Sequence, residues 1–178
     1  MISDQNYKKL LDEFGDISSF AIYKESKNDD IATSDDISFE EAIRNNQKDF
    51  INPSNIILMV NPSAKREHSP DSNFSSFHHS NINDRHLRFL TMKSETFWRN
   101  LYGSYVTDLF PYVVESVMEN LIFGIKDDNN KDYRKQSYKK LIEQLEILSK
   151  DLEEDKLNIF VCGALSKSKR KDFIFFIE

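Results

Sequence analysis

The chain has 178 residues, 39% hydrophobic and 12% aromatic, which suits one domain with a single core and argues against wholesale disorder. Its formal net charge is −6, whereas nucleic-acid binders usually carry an excess of basic residues. Its single cysteine, Cys162, excludes an internal disulfide and a cysteine-based zinc cluster. The polar N-terminus does not resemble a signal peptide, and no apolar stretch approaches the roughly 20 residues that span a bilayer. We therefore expect a cytoplasmic protein with no membrane partner.

The sequence lacks the common motifs for cofactors and metals. It has only four glycines and contains neither GxGxxG nor GxxxxGK[ST], so the usual glycine-rich phosphate cradles are absent. Its four histidines do not follow the i, i+4 spacing by which two histidines on a helix bind one metal ion. We predict neither a cofactor nor a metal ion.

The N-terminal part of the chain predicts a helix, a short strand and a second helix. Apolar residues recur at helical spacing over residues 7–14, with Ser3 as a possible N-cap and Gly15 as the stop. Residues 20–23 predict a short strand. The capping-box pattern at residues 38–41 opens the second helix.

From residue 55 onwards, apolar runs that predict strands alternate with helical periodicities. The strands fall at residues 56–60, 104–109, 157–162 and 172–177. Three helices are predicted: one that begins at Ser94, one over residues 113–122 and one over residues 133–152. The last has the clearest amphipathic stripe. Because the strands are apolar along their length, we predict an α/β three-layer sandwich with a central, mostly parallel sheet of about four strands. Residues 1–178 are treated as one domain, with residues 1–54 as an N-terminal extension.

Two of the predicted strands end on a short polar side chain, with a proline close behind. The first strand breaks into Asn61-Pro62-Ser63, and the second carries Asp108 before Pro111. Open parallel sheets bind ligands at the carboxyl ends of their strands, so Asn61 and Asp108 are the candidate site residues. Each also has a structural alternative. Asn61 would close a strand and start a turn, and Asp108 would cap a helix beginning near Pro111.

Residues 61–84 are the least regular stretch of the sequence, and a loop of this length in a compact domain is usually functional or disordered. Phe74 and Phe77 in this loop would either stack on a ligand or anchor the loop against the core. His78, beside His79, would either be a surface histidine or act as a general acid or a phosphate contact.

Residues 55–177 resemble the uracil-DNA glycosylase superfamily in its broad sense, which includes uncharacterised relatives. Residues 57–63, Ile-Leu-Met-Val-Asn-Pro-Ser, are similar to its first motif, in the Asn-Pro form of the mismatch-specific branch. Residues 105–108, Tyr-Val-Thr-Asp, resemble its second strand, residues 159–164 its third strand, and residues 173–177 its fourth. The resemblance implies a DNA-repair hydrolase that cleaves an N-glycosidic bond.

The resemblance also implies roles for residues near the first motif. Asn61 would position the attacking water, with Pro62 and Ser63 beside it in the substrate site. Phe74, and with it Phe77, would supply the aromatic ring that stacks on the flipped base, an interaction worth about 1–3 kcal/mol.

Two departures from the family pattern limit this inference. Asp108 stands where active members have a base-reading asparagine, and an ionised carboxylate only accepts hydrogen bonds. Asp108 should therefore repel the O4 acceptor of uracil and prefer an amino or imino donor. The family also has a loop with a His-Pro-Ser-like motif after the fourth strand. In this sequence that loop would begin at Glu178, so we expect it to be lost or to lie outside this sequence.

The leading hypothesis is a uracil-DNA-glycosylase-like protein that binds a nucleobase, a nucleotide or DNA near Asn61 and Asp108, with hydrolysis of an N-glycosidic bond left open. The alternative is a non-catalytic protein-interaction module that keeps the fold and presents its acidic surface and the helix over residues 133–152 to a protein partner. A third option is an enzyme that processes free nucleosides and so needs no basic surface.

Overall fold

The computed structural model describes residues 1–23, 50–62, 74, 76–78, 87–89, 91, 100–114, 118–152 and 156–162. In chain order its elements are α1 (Asp4–Phe14), β1 (Ser18–Phe20), β2 (Asn52–Met59), β3 (Ser104–Asp108), α2 (Met118–Lys126), α3 (Lys131–Ser149) and β4 (Asn158–Val161). A 3-10 turn at Asp128–Asn130 joins α2 to α3. No helix in the described part of the chain is long and apolar enough to cross a membrane.

The four strands form one mixed sheet in the order β1-β3-β2-β4. β2 runs parallel to both of its neighbours, β3 and β4, whereas β1 pairs antiparallel with β3. Parallel neighbours need a crossover connection, which the long segments between β2 and β3 and between β3 and β4 provide. The predicted α/β class is confirmed, and the sheet consists of two parallel pairs and one antiparallel pair.

β1 joins the sheet from the segment that the sequence suggested was an extension. Its register pairs Ser18 with Thr107 and Phe20 with Tyr105. The Ala21 amide and carbonyl continue this pairing with residues 104 and 103. The Phe20 ring is buried 5.3 Å from that of Tyr105, so the antiparallel edge is fixed by side-chain packing as well as main-chain bonds. The strand predicted at residues 172–177 and the helix predicted from residue 38 lie outside the described residues. The helix predicted from Ser94 also lies outside them, except for its last residues from position 100.

Side chains alternate between the two faces of the sheet, and both faces bury apolar groups. On the first face, side chains of β2 and β3, including Ile56 and Tyr105, contact α1 and α3. The Tyr105 hydroxyl donates to Gln144 Oε1 on α3 at 2.8 Å. On the second face, Ile57 and Val106 contact Phe77 and other residues from the long connection between β2 and β3.

Local sequence signals placed α1 correctly. Ser3 is its N-cap, with Oγ accepting from the Asn6 amide at 3.3 Å, and the Gly15 amide closes its last turn on the Leu11 carbonyl. The amphipathic helix predicted at residues 133–152 is observed as α3, two residues earlier at its start and three at its end. Ile142, expected in its apolar stripe, is exposed.

Two other predicted elements differ from the structure. The helix predicted from residue 113 is observed as α2 from Met118. Val113 and Val114 are not helical, and the Val113 amide donates to the Phe110 carbonyl at 3.2 Å in the turn after β3. The strand predicted as buried over residues 157–162 is β4, but Ile159 and Val161 are exposed. Among the described strands, β4 pairs only with β2 and lies at the edge of the sheet, which explains the exposure.

The start of α1 is tied to the residues after α3 through Asp151. Asp151 Oδ2 accepts from the Ser3 amide at 2.9 Å and from the Ser3 hydroxyl at 3.2 Å. Partial burial of the carboxylate raises its pKa, but hydrogen bonds from Ser3 and Asn6 outweigh this effect, so the pKa of Asp151 lies below its ordinary value. The ionised form is therefore the one that stabilises the fold.

We expect Asp151→Asn to lower the free energy of unfolding by about 1 kcal/mol at pH 7, because the bonded carboxylate is only partly buried. The folded-state pKa is depressed, so this contribution is present above the unfolded pKa of about 3.9 and is lost as pH falls through the folded value. Urea unfolding at several pH values should show the wild-type and variant curves converging in acid. A gap independent of pH would contradict the proposed role of charge. The control is Asp12→Asn, whose carboxylate lies on the exposed side of α1 in an ion pair with Lys8.

Candidate functional site

Three parallel strands end at one edge of the sheet. Met59 of β2 pairs in register with Asp108 of β3, and the pairing continues when the next two amides after Asp108 donate to the Met59 and Val60 carbonyls, each at 2.8 Å. β4 reaches the same edge, where the Cys162 amide donates to the Leu58 carbonyl at 2.9 Å. Asn61, two residues after β2, and Asp108, the last residue of β3, therefore lie at neighbouring strand ends, on the edge predicted from the sequence. We call this edge the strand-end site.

Asn61 is partly buried, and its amide group joins the two loops that leave β2 and β3. Nδ2 donates to the Pro62 carbonyl and to the Val113 carbonyl, both at 3.0 Å. An asparagine amide has two donor hydrogens, and these two contacts engage both of them. Asn61 thus has the turn-closing role that was its structural alternative. Pro62 is buried beside it, and Ser63 lies outside the described residues.

Asp108 is only 2% exposed, at the last position of β3. It does not cap a helix at Pro111, because residues 111–114 are not helical and α2 begins at Met118. That structural alternative is wrong. Burying a carboxylate is costly unless it is hydrogen-bonded or paired, and such groups often occur at functional sites. Asp108 therefore remains a candidate residue of the strand-end site.

Phe74 is a core residue and does not line the strand-end site. Its ring is fully buried between α1 and β1, with centroids 5.5 Å from Tyr7 and 5.4 Å from Phe20. Its main chain is also fixed, since its amide donates to the Gly15 carbonyl at 2.9 Å and its carbonyl accepts from Ser19 Oγ at 2.7 Å. The structure shows the loop-anchoring alternative, not the arrangement that base stacking beside Asn61 would need.

Phe77 and His78 likewise contact the core and β1. Phe77 is buried against Ile57 and Val106 on the second face of the sheet. His78 is partly buried, with Nε2 3.1 Å from the Phe20 carbonyl and its ring 4.8 Å from that of Tyr23. Because a carbonyl only accepts, this bond requires a proton on Nε2. His78 therefore supports β1, and these contacts do not bring it to the strand ends as a general acid.

Cys162 also lies near this edge, but its thiol is not activated for reaction. Burial raises the pKa of its thiol, and Sγ donates weakly to the Phe160 carbonyl at 3.8 Å. The thiol is therefore protonated at neutral pH and is a poor nucleophile. Within the described part of the chain, no three His, Cys, Asp or Glu side chains are grouped so that they could hold a metal ion.

Comparison with protein-family models, curated proteins and solved structures finds no match to this chain. At the site itself, the Asp108 carboxylate and the side-chain oxygen of Asn61 are hydrogen-bond acceptors, and the residues that the structure describes there include no activated nucleophile.

A group of residues that sequence reasoning missed adjoins the site. The Tyr112 amide donates to the Tyr133 hydroxyl at 3.2 Å, and Lys140 Nζ donates to the Tyr112 hydroxyl at 2.9 Å while lying 4.7 Å from the Tyr112 ring centroid. Burial raises the pKa of Tyr133, and it raises that of Tyr138 to about 12, so both hydroxyls stay protonated at neutral pH. The signal in the sequence was the seven-residue separation of Tyr133 and Lys140, which brings them to the same side of α3.

Proposed function

We propose that this chain binds a nucleobase or nucleotide at the strand-end site, on a uracil-DNA-glycosylase-like three-layer α/β/α architecture. The observation that carries the proposal is the in-register ending of β2 and β3, which brings Asn61 and the buried Asp108 to neighbouring strand ends. Ligands of open α/β sheets bind outside the carboxyl ends of the strands, and this is the edge concerned.

The order of the parallel strands supports a ligand beside the end of β2. β2 precedes β3 and β4 in sequence but lies between them in the sheet. This is the arrangement that begins the flavodoxin-like doubly wound order, in which the ligand lies at the switch point between the first and third parallel strands, here the ends of β2 and β4. Asn61 is two residues beyond the end of β2, so it would border a ligand held there.

Asp108 would decide which base is bound. An ionised carboxylate accepts hydrogen bonds and cannot donate one, so it suits an exocyclic amino group and opposes a carbonyl oxygen. At ring position 4, which Asp108 would contact, cytosine carries an amino group and uracil a carbonyl; the bases also differ at N3, which carries a hydrogen only in uracil. Because Asp108 is 2% exposed, a ligand would have to insert the edge of its base between the two strand ends to reach it.

Binding is better supported than hydrolysis of a glycosidic bond. Both donor hydrogens of Asn61 are engaged by main-chain carbonyls, and His78 is bonded to β1. The ring of Phe74 is in the core. Each of these residues was a candidate for catalysis or for base stacking, and each has a structural task that competes with that role.

We expect the chain to bind cytidine monophosphate at least about tenfold more tightly than uridine monophosphate, because a hydrogen bond to a charged group contributes about 1.5–3 kcal/mol. Asp108→Asn should reduce this preference to near unity, since an amide can accept or donate. Isothermal titration calorimetry with the two nucleotides would measure both affinities. Asp12→Asn makes the same chemical change on the exposed side of α1 and should leave them unaltered.

Absence of binding by either nucleotide, or a preference that Asp108→Asn leaves intact, would contradict the proposed site. Thermal unfolding of the variant distinguishes loss of the ligand from loss of the fold. Both variants should therefore be titrated only at temperatures where they are folded.

A second candidate function, a protein-interaction module, is favoured by one observation. The Phe123 ring on α2 is 80% exposed, and Val114 after β3 is also exposed. Single exposed apolar groups are normal, but aromatic rings are enriched among the residues that anchor protein interfaces. Binding of a protein partner through such groups should persist at high salt, whereas binding of a nucleic acid should weaken steeply.

A further inference from the structure

The chain that leaves β3 is held by β2 as far as Phe110. The Leu109 and Phe110 amides donate to the carbonyls of the last residue of β2 and of the residue after it, each at 2.8 Å. The Val113 amide then donates to the Phe110 carbonyl at 3.2 Å, which closes a turn. Pairing with β2 therefore fixes residues 109 and 110, and the position of residues 111–113 depends on other contacts.

Two side chains of α3 hold Tyr112 in this turn, one at each end of the residue. The Tyr133 hydroxyl accepts from the Tyr112 amide at 3.2 Å, and Lys140 Nζ donates to the Tyr112 hydroxyl at 2.9 Å. Lys140 Nζ also lies 4.7 Å from the Tyr112 ring centroid, within the range of a cation–π contact. α3 itself is packed on the sheet through the buried side chains of Ile147 and Leu148, so it gives these contacts a fixed support.

The position of Tyr112 is passed to Asn61 through the next residue, Val113. Asn61 Nδ2 donates to the Val113 carbonyl and to the Pro62 carbonyl, both at 3.0 Å. The Pro62 carbonyl belongs to the residue next to Asn61, so that bond does not tie Asn61 to another segment. The bond to Val113 does, across 52 positions of the chain. Lys140 and Asn61 are thus connected by two hydrogen bonds and the main chain between Tyr112 and Val113.

We propose that Lys140 and Tyr133 are positioning residues of the strand-end site. Through Tyr112 and Val113 they fix the side chain of Asn61. A side chain that is ordered before the ligand arrives does not have to be ordered on binding, and this preserves affinity. Without the Lys140 bond the Tyr112 side chain would be able to leave α3, and the Val113 carbonyl would no longer be held in place. The effect on affinity rests on the proposed function, whereas the effect on Asn61 is present without a ligand.

The first test observes the Asn61 side chain itself. Lys140→Met removes the ammonium group and keeps most of the aliphatic chain. In a proton–nitrogen correlation spectrum of the isotope-labelled full chain, the side-chain amide signals of Asn61 are those missing from Asn61→Asp. In Lys140→Met these signals should move toward the positions of a solvent-exposed amide. Lys140→Arg keeps a cationic donor and should return them to their wild-type positions. Lys139→Met removes the neighbouring charge from an exposed side chain and should leave them in place.

Tyr133→Phe tests the second contact of α3 with Tyr112. It removes the hydroxyl that accepts from the Tyr112 amide and keeps the ring, which lies 6.4 Å from that of Phe110. The same Asn61 signals should move. Spectra of all variants are compared at a temperature at which thermal unfolding shows each of them to be folded, so a general loss of structure cannot produce the change.

The second test is isothermal titration calorimetry with cytidine monophosphate and with cytidine. Lys140→Met should bind both about fivefold more weakly, the size of effect expected when one side chain must be ordered on binding. Cytidine has no phosphate, so an equal loss shows that Lys140 does not act by binding the phosphate. Tyr112→Phe breaks the same link, and the double variant should therefore bind no more weakly than either single variant. The preference for cytidine monophosphate over uridine monophosphate, which is assigned to Asp108, should remain.

Unchanged Asn61 signals in Lys140→Met, or an equal change in Lys139→Met, would overturn the positioning role. A loss of affinity confined to cytidine monophosphate would also overturn it and make Lys140 a direct phosphate contact. Failure of the proposed function gives a different pattern. If the wild type binds neither cytidine nor its monophosphate while the Asn61 signals still move in Lys140→Met, the ligand is wrong and the connection from α3 to Asn61 remains.

Discussion

Phe74→Ala should lower the free energy of unfolding by about 3–5 kcal/mol, the usual cost of removing a buried phenylalanine ring. The Phe74 ring is buried in the cluster that joins α1, β1 and α3, where it contacts Tyr7 and Phe20. Truncation would leave a cavity among groups that hydrogen bonds to the Phe74 main chain keep in place. Denaturant unfolding followed by circular dichroism would measure the loss.

The same substitution separates a core role from a role in ligand binding. Phe123→Ala removes an equal ring from an 80% exposed position and should change stability by no more than about 0.5 kcal/mol. Phe74→Leu should fold, with reduced stability, and keep the nucleotide affinity of the wild type. The opposite result, unchanged stability with lost affinity, would return Phe74 to the ligand site that the sequence suggested.

Gly103→Ala should be comparably destabilising, by at least about 3 kcal/mol, for reasons of backbone geometry. Gly103 has φ of +80°, a conformation that costs an L-residue about 1–2 kcal/mol. A Cβ atom there would also overlap the Phe50 carbonyl. The backbone cannot move away easily, because the Gly103 amide donates to the Ala21 carbonyl and its own carbonyl accepts from the Asn52 amide, both at 2.9 Å.

Gly124→Ala is the matched control for this substitution. Gly124 lies within α2, and a Cβ atom built on it meets nothing within 4 Å. Alanine is the better helix former by roughly 0.5–1 kcal/mol, so this variant should be slightly more stable than the wild type. Thermal unfolding of both variants would show opposite shifts in Tm. A Tm of Gly103→Ala equal to or above that of the wild type would contradict the role given to Gly103 in joining the starts of β2 and β3.

Local patterns in the sequence were sufficient for several elements. The serine cap, the apolar spacing and the glycine stop of α1 act within a few residues of one another, so its bounds could be predicted closely. The apolar runs that became β2 and β3 and the polar residues that follow them are also local features. Because parallel strands in register end together, the sequence could place Asn61 and Asp108 at one edge.

Contacts between distant segments decided the rest. β1 is a three-residue strand whose position beside β3 depends on burying Phe20 against Tyr105, which no local pattern contains. The sequence around Phe74 does not distinguish a ring that stacks on a ligand from a ring that packs in the core. Only the packing of α1 against β1 decided between them. The bond from Asn61 to Val113 and that from Lys140 to Tyr112 join residues 52 and 28 positions apart. The sequence by itself determined the α/β class and the strand ends, whereas the tertiary structure decided which side chains those ends leave available, because burial and hydrogen-bond partners are properties of the packed chain.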